Sequence, residues 1–131
     1  MRVLLSIKPK YVEQIEQHSK RFEFRKQNFK NKPEEIWIYS SAPVKKIVGI
    51  IYVDDILEKS PEALWQQCKD YAGIEEKSFF DYFKDKSTGI AIKIKRYEKF
   101  ATPINPYEVD LHFTPPQSYA YLDNMFPNGL T

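Results

Sequence analysis

His18-Ser19-Lys20-Arg21-Phe22-Glu23-Phe24-Arg25 is the stretch on which the reading of this chain turns, because charged and aromatic residues alternate along it. As a strand it sends Phe22 and Phe24 to one face and Arg21, Glu23 and Arg25 to the other, since successive side chains point to opposite sides. The aromatic face suits a core. The ionic face sets a carboxylate between two guanidinium groups, which would hold it charged and oriented. Such a face either forms a recognition site or solvates an exposed sheet edge. Lys20 has the parity of Phe22, so it joins Glu23 and Arg25 only from a turn that precedes the strand.

Upstream, Arg2 to Ile7 reads as a buried strand, and Pro9 fits the first position of a helix that places Tyr11, Val12 and Ile15 on one stripe and fades near Gln17 or His18. Downstream, Lys26 to Glu34 is a polar loop closed by Asn31-Lys32-Pro33. Glu35 to Tyr39 is apolar on both faces and therefore a central strand. Ser40 and Ser41 end it, and Ala42-Pro43 turns the chain. Lys46 to Ile56 is a long β-like run in which Gly49 marks a bend or a close backbone approach. Ser60-Pro61 starts a helix whose Leu64, Trp65, Cys68, Tyr71 and Ala72 give the helical period before Gly73 stops it, with Trp65 and Cys68 in the core. A second helix from Glu75 to about Lys84 turns Phe79, Phe80 and Phe83 inward. Gly89 to Tyr97 alternates as a strand, Asn105-Pro106-Tyr107-Glu108 has the residues of a capped turn, and Tyr119 and Tyr121 mark a closing strand. The segment from Asp123 is expected to be a loosely attached tail.

One domain of 131 residues is long enough to bury a core without staples, and 42% hydrophobic and 15% aromatic residues supply the material for it. The single cysteine, Cys68, leaves no internal disulfide and no cysteine-based metal site, and the N-terminal apolar run is too short for a signal peptide or a membrane span. A cytoplasmic address, no membrane contact and no cofactor or metal are the expectations. Net charge is only +2, yet residues 1 to 50 carry +6 and residues 51 to 131 carry −4. The basic half contains the opening stretch, so one face could attract a polyanion while the whole molecule stays nearly neutral.

Lys20, Glu23 and Arg25 fit the pattern G-x-K-x-x-E-x-R, with His18 in place of the glycine. Leu5-Ser6-Ile7-Lys8-Pro9, Ile38-Tyr39-Ser40-Ser41-Ala42-Pro43 and Pro115-Pro116-Gln117-Ser118-Tyr119 follow as further blocks. In these the chain resembles the ASCH domain family of the PUA-like superfamily, over residues 1–122 as a single domain with 123–131 as the tail. The resemblance implies an α+β fold, a small mixed PUA-like β-barrel flanked by helices. It also implies a left-handed helix terminus at His18 and a cleft lined by Lys20, Glu23 and Arg25 that meets RNA or a modified nucleoside.

A cleft beside the opening stretch would gather Lys8, Lys20, Glu23 and Arg25, with Ser40, Ser41, Gln117 and Ser118 from neighbouring segments. Ammonium and guanidinium suit phosphate, a fixed carboxylate suits an amino or imino N–H of a base, and amides or hydroxyls suit its carbonyls. Tyr39 or Tyr119 would offer a face for stacking. The expected function is a nucleic-acid binding module for RNA or a modified nucleotide, with DNA as the alternative partner, serving RNA processing, translation or transcription regulation. The alternative is an amidohydrolase acting on an acylated nucleoside such as acetylcytidine, with Lys20 as the reactive amine beside Glu23. That chemistry needs a lowered lysine pKa, whereas Glu23 favours the ammonium, and the family's hydrolases have threonine where this chain has Glu23. A nuclease would need a water-activating group that the sequence does not place. A third reading is a regulatory interaction module with a protein partner the sequence cannot name. No phosphate-cradling glycine loop, paired histidine ligands or Ser/His/Asp arrangement is visible.

Overall fold

The computed structural model describes residues 1–130. Strands β1 (Arg2–Ile7) and β3 (Glu35–Ser40) run parallel, Val3 beside Ile36 and Leu5 beside Ile38. Parallel neighbours need a crossover, and helix α1 (Pro9–Glu16) with the short strand β2 (Phe22–Arg25) lies in it. β4 (Lys46–Lys59) and β5 (Gly89–Ile104) form a long antiparallel ribbon, and β6 (Ala120–Tyr121) closes beside β1. The sheet order is β2-β5-β4-β3-β1-β6. Register shifts along β4 bend this sheet into a half-barrel. Gly49 sits at one of them, where a Cβ would lie 2.4 Å from the Tyr97 hydroxyl and 2.5 Å from the Glu98 carbonyl. The outer strands β2 and β6 are tied together by the loop after β2. The Lys30 and Asn31 amides donate to the hydroxyls of Tyr119 and Tyr121, and Phe29 meets the Tyr119 ring at 4.8 Å. The small mixed barrel flanked by helices is therefore the fold.

Three apolar clusters hold it. One fills the concave side, with Val3, Leu5, Ile36, Ile38, Ile51, Ile90 and Ile92 against Val12 and Ile15 of α1. A second lies between the other side of β2 and the helices α2 (Pro61–Cys68) and α3 (Glu76–Tyr82). There Phe79 touches Phe24, Trp65, Phe80 and Phe83, and Cys68 is a buried core residue. Ser60 caps α2 as expected, accepting from the Ala63 amide at 3.2 Å, but the helix tightens into a 3-10 turn at Lys69–Tyr71 before Gly73. The third cluster corrects two expectations. β5 does not end at Tyr97 but continues to Ile104, because pairing with the start of β4 satisfies a backbone that its charged sequence leaves without alternation, and Phe100 packs on Trp37. Residues 123–126 are not a loose tail. A short helix α5 (Leu122–Met125) follows α4 (Pro106–Val109) along the chain; Leu122 and Phe126 are buried, Phe126 stacks on Phe113, and Asp123 pairs with Arg2. Burial of Phe126 against Phe113 outweighs the position at a chain end that suggested loose attachment.

His18 takes the left-handed geometry, with φ 64°. Its amide donates to Ile15 and that of Ser19 to Gln14, the bonding pattern of a Schellman helix end. A Cβ is strained there by about 1–2 kcal/mol, against a glycine entropy cost of about 0.5–1 kcal/mol. His18→Gly is therefore expected to be neutral to stabilising, by up to about 1 kcal/mol in a urea-unfolding comparison, with the denaturant slope unchanged. No helix among the described residues is long and apolar enough to cross a membrane.

Candidate functional site

The end of α1 sets Lys20. The Ser19 and Lys20 amides both bond to the Gln14 carbonyl, so Lys20 belongs to the turn and β2 begins only at Phe22. The parity difficulty is thereby removed. The segment after α2 roofs it: the Arg21 amide donates to Tyr71, and Lys20 Nζ donates to the Ala72 carbonyl at 2.6 Å. Gly73 permits this close approach, with φ +67° and a Cβ position only 2.7 Å from Lys20 Cβ. Lys20 is 3% and Glu23 7% exposed.

Lys20 Nζ stands 3.9 Å from Glu23 Oε1 and faces the rings of Phe24 and Tyr11 at 4.9 and 5.1 Å. Arg25 Nη2 lies 3.2 Å from Glu23 Oε2 and donates to the Ser6 carbonyl at 2.9 Å. Arg25 Nε is buried and has no hydrogen-bond partner among the described residues. The carboxylate thus lies between an ammonium and a guanidinium, not between two guanidinium groups. Arg21 precedes the strand and instead covers the Tyr71 ring at 4.1 Å. A second expectation is reversed as well. Burial pushes the Lys20 ammonium below its ordinary pKa, helped by repulsion from Arg25, and this outweighs the opposing pull of Glu23.

Two hollows open here. The smaller, about 200 Å³, is lined by Lys8, Lys20, Glu23 and Arg25 with the rings of Tyr11 and Tyr82. The larger, about 550 Å³, is lined by Arg25, Lys26, Lys86, Gln117, Ser118 and Tyr119, with Tyr82 again on its wall. Lys8, Lys20, Glu23, Arg25, Gln117, Ser118 and Tyr119 are therefore brought to adjoining surfaces. Tyr39, Ser40 and Ser41 are not. β3 is an interior strand, so Tyr39 is buried against Phe113, its hydroxyl 3.2 Å from that of Tyr107. That burial raises the Tyr39 pKa. Ser40 faces a separate hollow with Glu13, Glu16 and Lys99, and the Ser41 amide bonds to Ile7 in the turn.

Tyr82, Lys26 and Lys86 escaped the sequence reading. Tyr82 lies three positions after Phe79 on α3, so the helical spacing put it beside the buried face, where the other phenylalanines drew attention. Lys86 reaches the hollow because Asp85 reverses the chain at φ 65°, a geometry aspartate tolerates. Among the described residues no three His, Cys, Asp or Glu side chains gather as a metal site.

A six-stranded half-barrel with flanking helices and a charged hollow beside an edge strand is the architecture of the PUA-like class. The model of the ASCH domain family matches residues 5–109, and the chain belongs to that family. A relative from Zymomonas mobilis, an ASCH domain-containing ribonuclease, is 28% identical over 126 residues, which cover 91% of this chain and 82% of the relative. The crystal structure of ASCH from Zymomonas mobilis superposes with a TM-score of 0.84 at 27% identity, over 92% of this chain and 87% of that one. A mutant form of the same protein gives a TM-score of 0.86 at 25% identity, over 96% and 93%.

Proposed function

We propose that the protein binds RNA at the two hollows that meet at Arg25 and serves in RNA processing. One observation carries this reading: Lys8, Lys20, Arg25, Lys26 and Lys86 converge on the hollows, with Glu23 as the single carboxylate side chain lining them among the described residues. That local excess of four positive charges stands out in a chain of net charge +2. It suits a phosphate backbone, while Glu23, held between Lys20 and Arg25, suits a base N–H that phosphate-binding groups alone would not read. Hollows of this kind take unstacked bases, as single-stranded segments present them. The Zymomonas mobilis relative, named as a ribonuclease, supports RNA as the partner. The decisive experiment titrates a fluorescent RNA oligonucleotide, and the same sequence as DNA, at several salt concentrations. Binding should weaken steeply with salt, by a slope of about 0.7 per neutralised phosphate, and favour RNA. Salt-independent or absent binding overturns the proposal.

The lowered pKa of Lys20 favours a second, catalytic reading. In RNA cleavage the ribose 2′-hydroxyl is itself the nucleophile, so the missing water-activating group is not needed. A neutral Lys20 amine would accept the 2′-hydroxyl proton as the 2′-oxygen bonds to phosphorus, Arg25 would stabilise the phosphorane, and the departing 5′-oxygen would take a proton from solvent. Hydrolysis of an acylated nucleoside would also use a free Lys20 amine, but it leaves Lys26 and Lys86 without a role.

A further inference from the structure

We infer that the ligand is read as a dinucleotide step: one base enters the smaller hollow, its neighbour enters the larger, and the phosphate between them lies over Arg25. This deepens the RNA-binding reading and rests on it. Arg25 and Tyr82 line both hollows, so the two are successive compartments along one path and share one cationic divider. Their chemistry differs. The smaller compartment has the carboxylate, held between Lys20 and Arg25, while the Lys20 ammonium faces the rings of Tyr11 and Phe24, and it is a base-reading site. The larger has no acidic lining residue among the described residues; Lys26 and Lys86 stand exposed there beside Phe29, Tyr82 and Tyr119, and Gln27, Gln117 and Ser118 supply amide and hydroxyl groups. Cations with aromatic faces hold a stacked base and its backbone with little regard to sequence. Arg25 is not saturated by the protein, since its Nη2 is engaged while Nε has no partner among the described residues. A nucleoside or mononucleotide would fill one compartment and leave the cations of the other unused.

The test is a length series at fixed ionic strength: a nucleoside 5′-monophosphate, a dinucleotide carrying a 5′-phosphate, a trinucleotide and a decanucleotide, each titrated calorimetrically into wild type and the Lys26→Ala/Lys86→Ala double variant. Both lysines are exposed, so the double variant keeps the fold, checked by its melting curve. In wild type the affinity should rise at least tenfold from mononucleotide to dinucleotide and less at each later step. In the double variant the step in affinity from mononucleotide to dinucleotide should shrink to less than about threefold, whatever happens to the affinity for the mononucleotide itself. Equal affinity for mono- and dinucleotide in wild type, or a gain that survives in the double variant, overturns this inference and leaves RNA binding standing. No binding at any length overturns both.

Discussion

Arg25→Ala is expected to lower affinity for an RNA oligonucleotide by about 10- to 100-fold, the loss of a charge-assisted hydrogen-bonding group worth about 1.5–3 kcal/mol. Arg25 is the one cation common to both hollows, so its removal cuts the path at its middle, whereas losing an exposed lysine costs a single screened charge. The substitution also acts on the fold. Glu23 would keep only Lys20, at 3.9 Å, and the Ser6 carbonyl would lose its donor. Breaking a buried pair from one side costs about 3–5 kcal/mol when nothing replaces the partner; with Lys20 still present the cost should fall below that range. Two controls separate these effects. Arg25→Lys keeps a charge but not the planar fork, and should recover part of the stability while remaining weak for RNA. The double variant Glu23→Gln/Arg25→Ala removes the orphaned carboxylate and should recover stability without recovering binding. If Arg25→Ala binds RNA as wild type does while remaining folded, the hollows are not the RNA site.

The strands, the first helix and the capped starts could be read from the chain because each depends on local chemistry. Pro9 and Pro61 at helix starts, Ser60 and Asn105 as caps, and the alternation through Ile90 and Ile92 are short-range signals that the folded molecule keeps. The convergence of Lys20, Glu23 and Arg25 was legible for the same reason, since they lie within six residues. What sequence could not show was depth. Tyr39 and Ser40 have the residue types of a pocket lining, but whether the end of β3 meets solvent depends on Tyr107 and Phe113, which arrive from about seventy residues away. Lys86 and Tyr82 reach the site only because α3 packs Phe79 and Phe83 onto Phe24. The same distant packing decides the state of Lys20. Its sequence neighbour Glu23 argues for a firmly charged ammonium, while the roof formed by Ala72 and Gly73 removes water and wins.

Lys20→Met should reveal that contest through its pH dependence. The folded-state pKa of Lys20 lies below its ordinary 10.5, so between the lowered value and 10.5 the unfolded chain holds more protons than the native one. Stability from this group therefore rises with pH across that window, and below the lowered value its penalty is fully present. Methionine keeps the length and removes the titration. Unfolding free energies of wild type and Lys20→Met, measured in urea from pH 7 to 10.5, should differ by an amount that shifts in favour of wild type as pH rises. Titrating tyrosines and other lysines affect both proteins alike and cancel in that difference. RNA affinity should follow the same group in the opposite sense: the wild-type advantage over Lys20→Met, about tenfold or more at neutral pH if the ammonium contacts phosphate, fades as the amine loses its proton. A stability difference that stays flat through pH 10.5 would mean that the Lys20 amine titrates as an ordinary lysine, and the catalytic reading built on its lowered pKa would fail with it.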